Sequence, residues 1–197
     1  MSNSKRVTVL MGGISSEREV SLNSGQNVLE ALRAFGHTAT ALDAGADLGV
    51  LVAQLKEQKP DVVFNALHGR FGEDGCIQGI LEWLRLPYTH SGVRASATAM
   101  DKAAARAVFI TAGLPVAQGK VIAIEELTTA DPLPVPYVVK PVSEGSSVGV
   151  SIVRTSSAAI RRSIIEAWHY GPHALVEEFI PGREITVGVM ADRALTI

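Results

Sequence analysis

Val7-Thr8-Val9-Leu10-Met11-Gly12-Gly13-Ile14-Ser15-Ser16-Glu17-Arg18-Glu19-Val20-Ser21 is the stretch on which the reading of the fold turns. Residues 7–11 form a short, mostly apolar run closed by two glycines, the pattern of a buried strand. Residues 17–34 follow with helical spacing, placing Val20, Val28 and Leu32 near one face. Ser15 or Ser16 is a candidate cap and Gly36 a candidate stop. The alternation continues: a strand over 38–43, a helix over 47–58, a strand over 61–67, a loop over 68–75, a helix over 77–84 and a short strand over 88–91. Strands alternating with helices imply βαβ units and a parallel sheet. Apolar runs such as Val62-Val63-Phe64 suit strands covered on both faces. Residues 1–96 are therefore expected to form a Rossmann-like α/β domain.

The pattern changes beyond that point. Residues 97–112 are alanine-rich and helical, 116–124 read as a strand, and Pro132, Pro134 and Pro136 punctuate a loop. Strands are expected over 137–140 and 148–154, a helix over 157–168, and two further strands, 174–180 and 184–190, joined in a hairpin by Pro181-Gly182-Arg183. This half reads as α+β with antiparallel pairing. Leu195-Thr196-Ile197 looks like the inside of another strand, so the second domain is expected to be truncated.

The totals bound what such a chain does. It has 197 residues, 47% hydrophobic and 19% charged, enough to bury a core without staples. A net charge of -2 argues against nucleic-acid and membrane-surface partners, and 5% aromatic residues against base-stacking platforms. The single cysteine, Cys76, excludes an internal disulfide and suits a reducing compartment. The run 7–11 is too short for a signal-peptide core, and no stretch reaches the length that spans a bilayer. A cytoplasmic protein is expected.

Five segments carry chemistry. The first is Val138-Val139-Lys140-Pro141-Val142-Ser143-Glu144-Gly145-Ser146-Ser147-Val148-Gly149-Val150. A strand delivers Lys140 at its end, Pro141 is expected to stop the pairing, and a Gly/Ser loop follows. Small side chains, free N–H groups and a lysine suit a loop folded over phosphates. A generic Gly/Ser loop is as readily an ordinary hairpin; the lysine position and the Lys-Pro and Glu-Gly-Ser-Ser spacing favour phosphate. No Gly-x-x-x-x-Gly-Lys-Ser/Thr segment exists, so this is not a P-loop. The second is the run from Leu175 through Glu177, Glu178, Phe179 and Ile180 to Arg183 and Glu184, either a solvated acidic edge or a place for an adenosine. The third is Gly12 to Ser21, at the C-terminal end of the first strand, where open α/β sheets bind ligands. Helix N-terminal N–H groups there favour an anion, and Glu17 suits an ammonium. The fourth, Ala66-Leu67-His68-Gly69-Arg70-Phe71-Gly72-Glu73-Asp74-Gly75, offers His68 for a carboxylate, or as a structural histidine. In the fifth, Ala99-Met100-Asp101-Lys102, Asp101 looks like an N-cap.

Taken in order, these segments resemble D-alanine–D-alanine ligases of the ATP-grasp superfamily. The similar stretches are Gly-Gly-x-Ser-x-Glu-Arg-Glu-Val-Ser at 12–21, Ala-Leu-His-Gly at 66–69, Gly-Glu-Asp-Gly at 72–75, Gln-Gly at 78–79, Pro-Tyr-Thr at 87–89, Ser-Gly-Val at 91–93, Met-Asp-Lys at 100–102, Lys-Pro at 140–141 and Glu-Gly-Ser-Ser-Val-Gly at 144–149. The resemblance implies an ATP-grasp central subdomain over 97–173 and the start of a C-terminal one over 174–197. It implies that Glu17 binds the ammonium of a first D-alanine, with His68 near its carboxylate and Val20 and Ser21 alongside. Lys102, Lys140 and Glu144 would serve ATP, with Ser146 and Ser147 in the loop over its phosphates and Ser146 also supporting Glu17. Glu177, Glu178 and Ile180 would form an adenine hinge, with main-chain contacts at Glu178, and Glu184 would take the ribose hydroxyls.

The implied reaction is ligation of two D-alanines through an acyl-phosphate for peptidoglycan synthesis, with D-alanine–D-lactate ligation or an inactive nucleotide-binding fragment as alternatives. The resemblance further implies Mg²⁺, with ligands expected beyond Ile197 and none within this chain, and a homodimer through the N-terminal domain. The family's arginine for the tetrahedral intermediate and its second D-alanine pocket are likewise not among these residues. The chain alone is therefore expected to be inactive or nearly so, and normal phosphate release with ATP and D-alanine would refute that.

Overall fold

The computed structural model describes residues 4–195. Thr196 and Ile197, part of the strand expected at 195–197, lie outside the described residues. Strand β1 (Arg6–Met11) lies between β2 (Thr38–Asp43) and β3 (Val62–Asn65) in a parallel sheet of order β2-β1-β3. Successive side chains of a strand point to opposite faces, and β1 shows it. Val7, Val9 and Met11 pack with Leu29 of α1 (Arg18–Ala34) on one face. Leu10 packs on the other with Leu51 and Leu55 of α2 (Leu48–Gln58) and Ile77 and Leu81 of α3 (Cys76–Trp83). Both faces are covered, as parallel strands require.

Helix α1 sits very close to the sheet: a Cβ on Gly25 would lie 2.5 Å from Met11 Cβ. Its buried stripe is accordingly Ser21, Gly25 and Leu29, small residues where the backbone approaches. Val20, expected near the inward face, is instead exposed, because the close approach at Gly25 rotates the stripe by one position. Neither Ser15 nor Ser16 caps the helix. Glu17 occupies the N-cap without a side-chain cap bond, while Ser15 Oγ accepts from the Glu17 N–H at 3.2 Å and donates to the His68 carbonyl at 2.8 Å. The strand expected over 88–91 is reduced to one bridge, Tyr88 to Val63.

The single helix expected over 97–112 is two, α4 (Val93–Met100) and α5 (Lys102–Thr111), broken at Asp101. The Asp101 carboxylate accepts from the N–H groups of Ala103 and Ala104, at 2.9 and 3.0 Å, so its capping bonds start a new helix. Beyond lies an antiparallel sheet of order β4-β7-β5-β6, built from β4 (Gly119–Ala123), β5 (Tyr137–Pro141), β6 (Ser151–Val153) and β7 (His173–Glu178). A 3-10 turn, Ile124–Thr128, takes over where the expected strand 116–124 was to end. Tyr137, Val139, Val153, Ala174 and Val176 form the inner face with Ile164 of α6 (Ala158–Ala167). Val138, Lys140, Leu175 and Glu177 alternate onto the other.

Pro141 does not end the strand. Pairing with β6 stops at Val139, whereas on the β7 side Pro141 still stands opposite Ala174. The expected strand 148–154 shortens to β6 because residues 145–148 and 147–150 close turns, with Val148 N–H on the Gly145 carbonyl at 2.9 Å. The hairpin expected at Pro181-Gly182-Arg183 is not formed. The chain runs unpaired through 183–187, and the hairpin is the short pair β8 (Val189–Met190) and β9 (Arg193–Ala194), extended by the Leu195 N–H on the Gly188 carbonyl at 2.8 Å. Ile185, Val187 and Val189 alternate as a strand should but are all exposed; Val189 has only β9 beside it, and Ile185 and Val187 have no strand beside them among the described residues.

Under the second sheet, the Asp131 carboxylate collects the Tyr137 hydroxyl at 2.7 Å, the Arg161 guanidinium at 3.0 Å and the Ser156 hydroxyl. These donors, Ser156 foremost, hold the Asp131 carboxyl below its usual range, and burial, then Asp131, pushes the Tyr137 phenol up. A carboxylate whose folded value lies below its unfolded value of about 3.9 contributes stability above that pH and loses it as pH falls through the folded value. Asp131→Asn is expected to cost about 1–2 kcal/mol near neutrality. In urea unfolding the gap to the native sequence should shrink on acidification below about pH 4; a pH-independent gap would contradict this.

Candidate functional site

Two loops from the first sheet and one from the second converge on Glu17. Its carboxylate is buried, 7% exposed, and accepts the Ser146 hydroxyl across 129 positions of sequence. Gly69, at φ +67°, lies so close that a Cβ there would be 2.6 Å from Glu17 Oε2; one on Gly145 would be 3.3 Å away. Gly69 is constrained by both space and conformation, whereas a Cβ on Gly145 would need only a small shift of the carboxylate. His68 stands beside this group, its Nε2 3.2 Å from Ser24 Oγ and its Nδ1 3.8 Å from Glu73 Oε1. Glu73 also accepts the Gly69 N–H at 2.7 Å, which ties the loop back on itself. A cavity of about 380 Å³ opens alongside, lined by Ser24, Asn65, His68, Glu73 and Gln78 among others.

A cationic cluster adjoins the same loop. β5 brings Lys140 and α5 brings Lys102 and Arg106, one helical turn apart. Lys102 donates to the Glu144 carbonyl through its ammonium and to the Val142 carbonyl through its N–H, the latter at 2.9 Å. Burial, and then the neighbouring Lys140 ammonium, pushes Lys102 below the usual lysine value. Glu177, 8% exposed, forms ion pairs with both Lys140 and Arg106. The Glu144 and Asp101 carboxylates also act on Lys102, so the three cations stand among three acids, and their N–H donors are of the kind that a polyanion engages. Ser146 and Ser147 adopt φ of 47° and 60°, uncommon for residues with a Cβ.

The structure therefore gathers Glu17, His68, Lys102, Lys140, Glu144, Ser146 and Glu177 along one loop. It does not gather the rest. Ser21 is buried and its hydroxyl is committed to the Ala66 carbonyl at 2.7 Å. Val20, Ser147, Ile180 and Glu184 are exposed. Glu178 accepts the Gln118 N–H on its side chain and donates its own N–H to the Gln118 carbonyl. The acidic run 177–178 thus splits: strand alternation turns Glu177 toward the lysines and Glu178 toward residue 118.

Sequence reasoning missed three residues. Arg106 stands four positions after Lys102, spacing that puts both on one helix face. Glu73 lies within the Gly-Glu-Asp-Gly stretch but no role followed from it. Arg18 forms a forked pair with Asp43, at 2.8 and 2.6 Å. A Cβ on Gly12 would collide with that pair, 2.4 Å from Asp43 Oδ1, which accounts for one of the glycines closing β1.

Residues 40–91 match the family model described as the D-ala D-ala ligase N-terminus, and residues 108–197 match that of the D-ala D-ala ligase C-terminus. The chain belongs to the D-alanine–D-alanine ligase family. It is 63% identical over 192 residues to the D-alanine–D-alanine ligase of Gluconobacter oxydans (strain 621H), a match covering 98% of this chain and 63% of that relative. The chain thus spans under two thirds of the length of the curated relative. Among solved structures, the D-alanine–D-alanine ligase of Bacillus anthracis superposes with a TM-score of 0.79 at 31% identity, covering 98% of this chain and 63% of that one. The same enzyme complexed with ATP gives 0.70 at 27%, covering 91% and 60%.

The packing around Glu17 in this ligase-family chain is directly testable. Gly69→Ala must accommodate both a positive φ and a Cβ pressed on the carboxylate. It should destabilise the fold by about 1–3 kcal/mol, seen as a lower midpoint in thermal unfolding. An unchanged midpoint would show that the loop over Glu17 is free to move aside.

Proposed function

We propose that these residues form the nucleotide-binding and first-substrate portion of an enzyme that ligates two D-alanines at the expense of ATP, for peptidoglycan synthesis. One observation carries this reading. The loop 144–147 offers the Ser146 hydroxyl to the Glu17 carboxylate and the Glu144 carbonyl to Lys102, so a buried carboxylate and a lysine share one loop, with Lys140 on the strand that leads into it. Chemistry at that loop would then join an amino acid to a polyphosphate. The names of relatives at 55–63% identity favour D-alanine over D-lactate as acceptor.

A carboxylate is a poor acyl donor because its leaving group is oxide. Transfer of the γ-phosphoryl group to a carboxylate oxygen of the first D-alanine, with cleavage of the bond to ADP, creates a good leaving group. The amine of the second D-alanine attacks the carbonyl carbon, the carbon–oxygen bond to phosphate breaks, and the amine proton is released. In this reading Glu17, supported by Ser146, holds the first ammonium, with Val20 and Ser21 flanking it and His68 by the carboxylate. Lys102 and Lys140 neutralise the phosphates beneath Glu144, Ser146 and Ser147. Glu177, Glu178 and Ile180 border the adenine, and Glu184 takes the ribose hydroxyls. Positioning and charge neutralisation supply the rate enhancement.

Mg²⁺ accompanies the nucleotide in this reading. Among the described residues no three His, Cys, Asp or Glu side chains stand together to hold a metal ion, and no step here is assigned to it. We further propose a Rossmann-like domain over 1–96, ATP-grasp subdomains over 97–173 and from 174 onward, a homodimer through the first of these, and a cytoplasmic location. Among the described residues no helix is long and apolar enough to cross a membrane.

Calorimetric titration of the 197-residue chain with ATP tests the reading. Binding should be detectable, and Lys102→Met or Lys140→Met should each weaken it by about tenfold or more, the scale of one lost charge-assisted contact. ATP affinity unchanged in both variants would overturn the assignment.

A further inference from the structure

Arg106 belongs to none of the roles above, yet it is 14% exposed and paired with the same carboxylate as Lys140. The two oxygens of Glu177 are divided, Oε1 to Arg106 and Oε2 to Lys140. Three elements fix that carboxylate. The β5–β7 register puts Val138 opposite Glu177 and Leu175 opposite Lys140, so the two charged residues are diagonal neighbours on one face. Helix α5 lays Arg106 over them, one turn beyond Lys102. Gly119 stands opposite Glu177 on β4, where a Cβ would sit 2.7 Å from Glu177 Cγ, so the acid's stem lies flat against bare backbone.

A buried carboxylate left without a partner is strongly disfavoured. If Lys140 were the sole partner of Glu177, the two would form a closed neutral pair, and a phosphate could recruit the lysine only by stranding the acid. Arg106 removes that conflict. Its guanidinium stays charged at any working pH and offers several donors in a fixed fork, so it keeps Glu177 satisfied while the lysine ammonium swings to a phosphate oxygen.

Building on the proposed nucleotide site, we propose that Arg106 is a positioning residue of that site, retaining the Glu177 carboxylate so that Lys140 is free to engage phosphate. Arg106 does not itself touch the nucleotide. The arrangement is an exchange: Lys140 trades one oxygen anion for another, and Arg106 holds what is released.

A double-mutant cycle read by calorimetry tests this, with ATP and adenosine as probes on the 197-residue chain. Arg106→Gln should weaken ATP about tenfold or more and leave adenosine binding within about twofold, because the damage falls on the phosphate-holding lysine. In the Glu177→Gln background, where no acid competes for Lys140, the same substitution should cost less than about twofold. Arg106→Lys, which keeps the charge, should recover most of the ATP affinity and guards against a loss caused by misfolding. An equal loss in both backgrounds would mean direct contact with phosphate, and a loss of adenosine binding would mean a role at the base; either overturns the proposal. Absence of ATP binding by the unmodified chain would sink the nucleotide reading itself, and this inference with it. ATP binding without coupling would sink the inference alone.

Discussion

The hydrogen bond from Ser146 to the Glu17 carboxylate joins two bodies that share little else at this point. One side is the loop–helix junction after β1; the other is the turn between β5 and β6. Each half has its own sheet and its own buried clusters, with no residue shared between them. What needs both is the site. Glu17 is buried only because the loop around Gly69 covers it from one direction and Gly145 approaches it from another. A buried carboxylate with one hydroxyl donor still has lone pairs to satisfy, and an ammonium is the group that would satisfy them.

The charge arrangement follows the same logic on the far side of the loop. Lys102, Lys140 and Arg106 come from two elements; Glu177 pairs with Arg106 and Lys140, and the Glu144 carbonyl holds Lys102. Like charges at close range are tolerated when counter-charges sit among them, and the lowered Lys102 value records burial first and the Lys140 repulsion second. The cost of assembling these cations is met during folding, by the acids and carbonyls around them.

Much of this was legible in the sequence. The apolar run 7–11 closed by two glycines, and the alternation of strands with helices after it, pointed to the parallel sheet, and β2 and α2 fall where the apolar spacing put them. The lysine at the end of β5 and the small-residue loop were visible as chemistry before any coordinates. What was not legible depended on tertiary contact. The rotation of α1 that exposes Val20 is set by the approach of Gly25 to Met11, which no helical spacing encodes. The residues 184–190 alternate like a strand, but alternation states a preference and a strand needs a neighbour. Lys102 and Arg106 are close in sequence, yet Arg106 gains its partner only when β7 turns Glu177 inward.

The tight seating of α1 on β1 has a mechanical corollary. With Gly25 against Met11 there is no slack between helix and sheet, so Glu17, at the helix's first turn, is mounted on the sheet as on a fixed post. Access to its carboxylate is then governed by the two loops laid over it, one at Gly69 and the other the serine-bearing turn, whose backbone at Ser146 and Ser147 occupies an uncommon conformation.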